Sequence, residues 1–194
     1  VLIGAAPLGA QILHNPRFKL SLLPSSPALA GAEVELVDMA KRETRLKEAL
    51  EPAKERYDYI LIDCPPSLSL LTINGLVAAA HGVLIPVQCE YLALEGLGML
   101  TQTLNRVQAA VSPELKVRGV VLTMYDGRTK LAMDVVKEVR RFFPDQVFQT
   151  IIPRSIRLAE APSYGQPISI YAPDSNAARA YMALAGEVLE QDGI

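Results

Sequence analysis

Short apolar runs alternate with longer amphipathic ones along this chain, and that alternation limits the folds open to it. It predicts an α/β protein built on a mostly parallel sheet. Four runs have strand length and are rich in β-formers: YDYILID at 57–63, GVLIPV at 82–87, VRGVVLTM at 117–124 and VFQTII at 147–152. Residues 19–23 make a weaker fifth. Tyr59 to Ile62 is apolar at every position, as expected of a strand covered by helices on both faces.

The helical segments carry the three-and-four spacing of an apolar stripe. Leu97, Leu100, Leu104, Val107 and Val111 form one such stripe; Leu131, Val135, Val139 and Phe142 form another; Ala177, Tyr181, Leu184 and Val188 form a third. Ser175 is placed to cap the last of these helices. A helix is also expected over 69–80, with Gly82 as its stop, and a polar one over 42–50 carrying Glu43–Lys47 and Lys47–Glu51 pairs. No repeat, low-complexity tract or charge block divides the 194 residues, so a single domain is expected.

Composition narrows the function classes. Half of the residues are apolar and 21% are charged, which is the balance of a globular domain. A net charge of −2 gives no overall attraction to nucleic acid, so any DNA contact must come from a local basic patch. No apolar run approaches the ~18–20 uncharged residues of a membrane span, and no signal segment opens the chain. Cys64 and Cys89 lack paired-motif spacing and read as small buried hydrophobes in a reducing cytoplasm. His14 and His81 are too few and too scattered for a metal site.

The stretch that carries chemistry is 57–66, YDYILIDCPP. An apolar strand ends in one carboxylate, Asp63, and Pro65-Pro66 then breaks it. In open α/β sheets ligands sit beyond the carboxyl ends of the strands. An aspartate there can hold Mg²⁺ through water, because magnesium takes one or two carboxylates plus waters and phosphate oxygens. Asp63 is thus a Walker B candidate, while the plainer reading is a carboxylate that caps the next loop.

The neighbouring sequence resembles the ParA family of DNA-partitioning ATPases. The likeness covers YDYILIDCPPSLSLLTINGLVAAAHGVLIPVQCEYLALE (57–95), GVVLTMYDGRT (119–129) and TIIPRSIRLAEAPSYGQPISIYAP (150–173), and reaches back to LLPSSPALAGAEVEL (22–36). The resemblance implies a three-layer α/β sandwich of the deviant Walker, P-loop NTPase-like class. It also implies ATP and Mg²⁺ as cofactors, a homodimer closed over ATP, non-specific binding to nucleoid DNA and stimulation by a ParB-type partner. The location it implies is cytoplasmic and nucleoid-associated, with no membrane contact. Carried over residue by residue, Asp63 is the catalytic, Mg²⁺-side aspartate. Met124 and Tyr125, with Pro153, Arg154 and Ser155, become the walls around the adenine. Arg128 and Arg157 match arginines used for DNA; Lys130, Lys137 and Arg141 form a second exposed basic face. Glu90 and Glu95 are further candidates for nucleotide or dimer contact, against a plain helix-start role.

The sequence departs from the family's pattern in two features. It holds no Gly-Lys dipeptide, and hence no phosphate loop of the Lys-Gly-Gly-x-Gly-Lys-Thr type; the Asp-x-Asp-Pro-Gln stretch that positions the attacking water is also missing. With Val1 as first residue, the expectation is a chain whose natural start lies upstream, inactive alone, and poorly folded because the Asp63 strand lacks a neighbour. Two other readings remain open. A membrane-associated positioning ATPase of the MinD type would end in a basic amphipathic helix, whereas the tail here, LAGEVLEQDGI, has no Lys or Arg after Arg179. A degenerate, non-catalytic module for DNA or partner binding would lack the phosphate loop as this sequence does.

Overall fold

The computed structural model describes the chain except residues 66, 68, 80 and 92 and the side chains of residues 93–95. Pro66, the last residue of the 69–80 helix and the Glu95 side chain therefore lie outside the described residues. The described residues form two compact units: Val1–Gly82 with Thr103–Lys116, and Val83–Gln102 with Val117–Ile194.

The first unit opens with a helical turn, α1 (Leu8–Gln11), and an antiparallel pair, β1 (Leu13–Asn15) and β2 (Leu20–Leu22), in register His14 to Ser21. Helices α2 (Ala28–Leu36), α3 (Arg45–Leu50) and α4 (Leu70–Ala78) follow. Their joint is polar, and its buried amide is satisfied, while the buried Ser69 hydroxyl at the start of α4 has no hydrogen-bond partner among the described residues. Asn74 in α4, wholly buried, donates to the carbonyls of Arg42 (2.7 Å) and Leu70 (3.0 Å) and accepts from the Leu46 N–H (3.0 Å). Glu33 of α2 accepts from the Leu70 N–H at 3.1 Å, supplying the N-terminal partner that Ser69 does not. The polar helix is shorter than its expected 42–50, and its ion pairs differ: Lys47 reaches Glu114 at 3.3 Å, and Glu43 pairs with Arg42 at 2.9 Å. A partner 67 positions away and an adjacent residue thus replace the i,i+4 pairs.

Residues 57–63 do not form a strand. Tyr59, Ile60 and Leu61 are exposed rather than covered on both faces. Apolar, β-rich composition gives a segment the propensity for a strand, but the ladder requires a neighbour. The described strands of this unit pair only with each other. The segment lies instead against α4: a Cβ on Gly75 would stand 2.4 Å from Cys64 Sγ and 3.5 Å from Ile62 Cγ2. Cys64 is exposed, against expectation; Cys89 is buried. Burial raises the Cys89 thiol above its ordinary value; at Cys64, whose surface is exposed, partial desolvation by the residues packed around it and then the Asp63 charge raise it too.

The second unit is the parallel sheet, in the order β3 (Val83–Gln88), β4 (Val117–Tyr125) and β5 (Val147–Pro153). The expected strands at 82–87, 117–124 and 147–152 are these three, within a residue or two at each end. Helix α5 (Ala93–Ala110) follows β3, its residues from Thr103 on counting with the first unit; α6 (Lys130–Phe142) joins β4 to β5, and α7 (Ile156–Glu160), α8 (Ile168–Tyr171) and α9 (Asn176–Gln191) follow. Strand side chains alternate between faces. On one face Val121, Phe148 and Ile152 pack against Ala180, Leu184 and Val188 of α9. Val120 and Leu122 point the other way and are fully buried as well, so both faces of β4 are covered, as in a layered α/β sandwich. At the Phe148 contact Gly119 is required, because a Cβ there would lie 2.2 Å from the ring.

The stripe of α6 is Ala132, Val135 and Val139, each almost fully buried, continued by Phe143. Leu131 and Phe142, the expected ends of the stripe, are exposed. Ser175 caps α9 as expected, its Oγ accepting from the Ala178 N–H at 3.1 Å. At the β5 edge, Glu187 of α9 accepts from the N–H groups of Gln149 and Thr150, both at 2.7 Å. Partial burial opposes its charge, but the bonds from Thr150 and Gln149 outweigh burial and hold its carboxyl below the ordinary value.

Candidate functional site

Three parallel strands ending at one edge set their C-terminal residues side by side, and a cleft of about 620 Å³ opens there. Cys89, Glu90 and Tyr91 follow β3; Met124 lies near the end of β4 and Asp126 just beyond it; Arg154 follows β5; Thr129 is the N-cap of α6, and Leu131 and Ala132 lie in its first turn. This is where ligands sit in open parallel sheets. The exposure of Leu131 is thereby explained: it lines the cleft instead of the core.

The strand ends are tied together. Cys89 N–H donates to the Thr123 carbonyl at 2.9 Å, and Arg154 N–H donates to the Tyr125 carbonyl at 2.9 Å. Tyr125 and Pro153 are register partners. Between these ties Met124 takes a left-handed backbone, φ 55°. For a residue with a Cβ this costs about 1–2 kcal/mol, and the β4–β5 register shifts there. Held residues of this kind cluster at binding sites.

The charges are paired. Arg154 bonds to Glu90 across the cleft. Asp126 grips Arg128 at two points, Nε to Oδ1 at 2.9 Å and Nη2 to Oδ2 at 2.7 Å, and accepts from the Arg128 N–H at 3.1 Å. The side-chain bonds from Arg128, then its N–H and the charges of Arg128 and Arg154, hold the Asp126 carboxyl well below the usual carboxylate range. The Asp126 carbonyl accepts from the N–H and hydroxyl of Thr129, and the Thr129 Oγ1 accepts from the Ala132 N–H at 3.3 Å. A tight turn thus leads directly into a capped helix.

Of the adenine-side residues expected from sequence, Met124 and Arg154 line the cleft, and Tyr125 and Pro153 sit paired behind it. Ser155 lies at the N-cap position of α7 without a side-chain cap bond. Arg157 is exposed and bonded at 3.1 Å to Glu160 Oε2, which also accepts from the Tyr171 hydroxyl at 3.0 Å; the bonds to Tyr171 and Glu160 raise its pKa. Lys137 and Arg141 stand 3.9 and 3.8 Å from Asp134 and Glu138 on an exposed face of α6. Asp63 is exposed at the end of the extended 57–63 segment of the first unit. The two roles missed in the sequence are those of Asp126 and Leu131. The Asp-Gly-Arg-Thr order suits a turn, but nothing in it specifies the grip on Arg128.

The residues present fit part of a nucleotide. Met124, Leu131 and Tyr91 offer exposed apolar surface to a flat base, and Arg154 offers a cation. No Gly-Lys loop exists in this sequence to cradle phosphates. Among the described residues no group of three His, Cys, Asp or Glu could hold a metal; a lone carboxylate such as Asp63 suits magnesium only where waters and phosphates complete the shell.

Comparison with known proteins gives the family. Residues 1–117 match the AAA domain family AAA_31. The chain is 52% identical over 193 residues to the chromosome-partitioning ATPase Soj of Treponema pallidum (strain Nichols), covering 100% of this chain and 76% of that protein. It is 54% identical over 169 residues to the sporulation initiation inhibitor protein Soj of Bacillus subtilis (strain 168), covering 87% of this chain and 66% of that one. Its fold matches, with a TM-score of 0.84 and 37% identity, the crystal structure of a cobyrinic acid a,c-diamide synthase from Mycobacterium smegmatis with bound ATP analog and magnesium, over 97% of this chain and 70% of that one. The names differ, and the higher identities decide between them. With its parallel sheet, its cleft at the strand ends and these relatives, the chain belongs to the Soj/ParA family of chromosome-partitioning ATPases.

Proposed function

We infer that the chain serves an ATP-dependent DNA-partitioning ATPase, as a single ATPase domain that works with ATP and Mg²⁺. The observation that supports this is the cleft at the ends of β3, β4 and β5, lined by both Met124, held in its left-handed conformation, and Arg154, two of the residues that the family resemblance makes adenine walls. Met124 and Leu131 receive the base, Arg154 orients it from the opposite wall, and Asp63 is the carboxylate for the metal. Bound ATP supplies the phosphoanhydride whose cleavage drives the cycle. The chain's own residues hold the base and exclude water from it; the phosphate cradle is not among them. Two protomers close over ATP, Arg128 and Arg157 hold DNA phosphates without reading sequence, and a ParB-type partner stimulates turnover. The protein is nucleoid-associated in the cytoplasm. ATP must favour the DNA-binding dimer by a few kcal/mol to act as a switch.

The test is titration of the chain with fluorescent adenosine and fluorescent ATP. Because the cleft recognises the base, both should bind with affinities within a few-fold of each other. Met124→Asp, which removes the exposed apolar side chain that a bound base would cover, worth ~1.5 kcal/mol when fully buried, should weaken both by up to about ten-fold. Binding that Met124→Asp leaves unchanged would reject the cleft as the base site.

A further inference from the structure

The two ion pairs at the cleft are not alike. Arg154 and Glu90 face each other inside it, whereas Arg128 leans outward with its side chain 89% exposed, and Asp126 reaches from the cleft wall to hold it. The hold uses both carboxylate oxygens and two guanidinium nitrogens, at 2.9 and 2.7 Å. Arg157, by contrast, meets Glu160 through one nitrogen. Duplex phosphates attract net charge, and a bidentate pair with aspartate has none. A phosphate approaching the outer edge of Arg128 would also meet the Asp126 carboxylate within a Debye length.

We propose that Asp126 is an electrostatic brake on Arg128, cancelling its charge at the DNA-facing surface until the grip is released. This rests on the reading above that Arg128 contacts DNA. The grip is weak enough to be released, since exposed pairs of this kind are worth little in water. It is also placed to sense the cleft, because the same carboxylate lines that cavity.

The experiment measures binding of a fluorescent random-sequence duplex to the chain across a NaCl series, for the wild type, Asp126→Asn, Arg128→Ala and the double variant. Asparagine keeps an oxygen for the Arg128 N–H, so the turn into α6 is retained, and matching thermal melts check this; Asp126→Ser repeats the measurement should the Asn variant melt early. The expected result is about two- to five-fold tighter binding by Asp126→Asn, with the log–log salt slope steeper by up to ~0.9, one phosphate contact. That gain should vanish in the double variant. Binding by Asp126→Asn that equals or falls below wild type, while Arg128→Ala weakens it, overturns the brake and leaves the DNA role of Arg128 standing. Arg128→Ala indistinguishable from wild type removes that role and the brake with it.

Discussion

Gly119→Ala should destabilise the sheet unit, and the structure sets the size of the effect. A methyl at this position in β4 would lie 2.2, 2.7 and 2.9 Å from three carbons of the Phe148 ring. Carbon pairs are comfortable at about 3.5–4.0 Å, so the ring must retreat by about 1 Å or more. It has little room to do so: Phe148 is 3% exposed and packed with Val121, Ile152 and the apolar face of α9. Overpacking of this kind costs about 1–3 kcal/mol. Alanine recovers about 0.5–1 kcal/mol of the backbone entropy that glycine loses in a strand, leaving a net loss centred on about 1 kcal/mol, within limits of about 0 and 2.5. Urea unfolding followed by far-UV circular dichroism measures it as a lower midpoint at an unchanged slope. Phe148→Leu should cost stability alone but restore part of it when combined with Gly119→Ala, a coupling that a double-mutant cycle isolates. A Gly119→Ala protein as stable as wild type would refute the claim that this glycine exists to seat the Phe148 ring.

Glu187→Gln leaves one acceptor oxygen for the two β5 N–H groups that the carboxylate now serves, and should cost about 1–2 kcal/mol, read from the same unfolding curves. Because the folded-state pKa of Glu187 is lowered, its contribution is complete above the unfolded glutamate value of about 4.3 and is lost as pH falls through the lowered folded value. Stability of Glu187→Gln should therefore fall less than wild type on acidification; parallel curves would contradict this. Ser175→Ala removes the acceptor for the Ala178 N–H and should cost about 1 kcal/mol, while Ser175→Asp should not, a pair of thermal melts deciding the matter.

What the sequence made legible followed from burial. Three expected strands, 82–87, 117–124 and 147–152, are those of the sheet, since their side chains are buried where they pair with each other. The 57–63 run has the same composition and no ladder, because strand formation depends on a neighbour that composition does not describe. In the α6 stripe Val135 and Val139 are buried as expected, and only its ends differ, Ala132 and Phe143 taking the places of Leu131 and Phe142. Leu131 and Phe142 are larger and more apolar than Ala132, yet the small residue packs inward and the leucine serves the cleft. Lys47 met Glu114 instead of its helix neighbours, a contact across 67 positions to which local spacing is blind. In the cleft, Met124 and Arg154 came from family likeness alone. The left-handed backbone of Met124 has no sequence signal, because methionine is not a residue that adopts it readily.

That backbone has a consequence for how the cleft receives a molecule. A wall residue held in an unfavourable conformation by the strand ties around it has already given up its alternatives before any ligand arrives. The conformational cost of shaping the wall is thus met during folding and drawn from the stability of the sheet, instead of being subtracted from affinity. A molecule of the right outline finds its surface waiting, and one of the wrong outline cannot recruit a softer one.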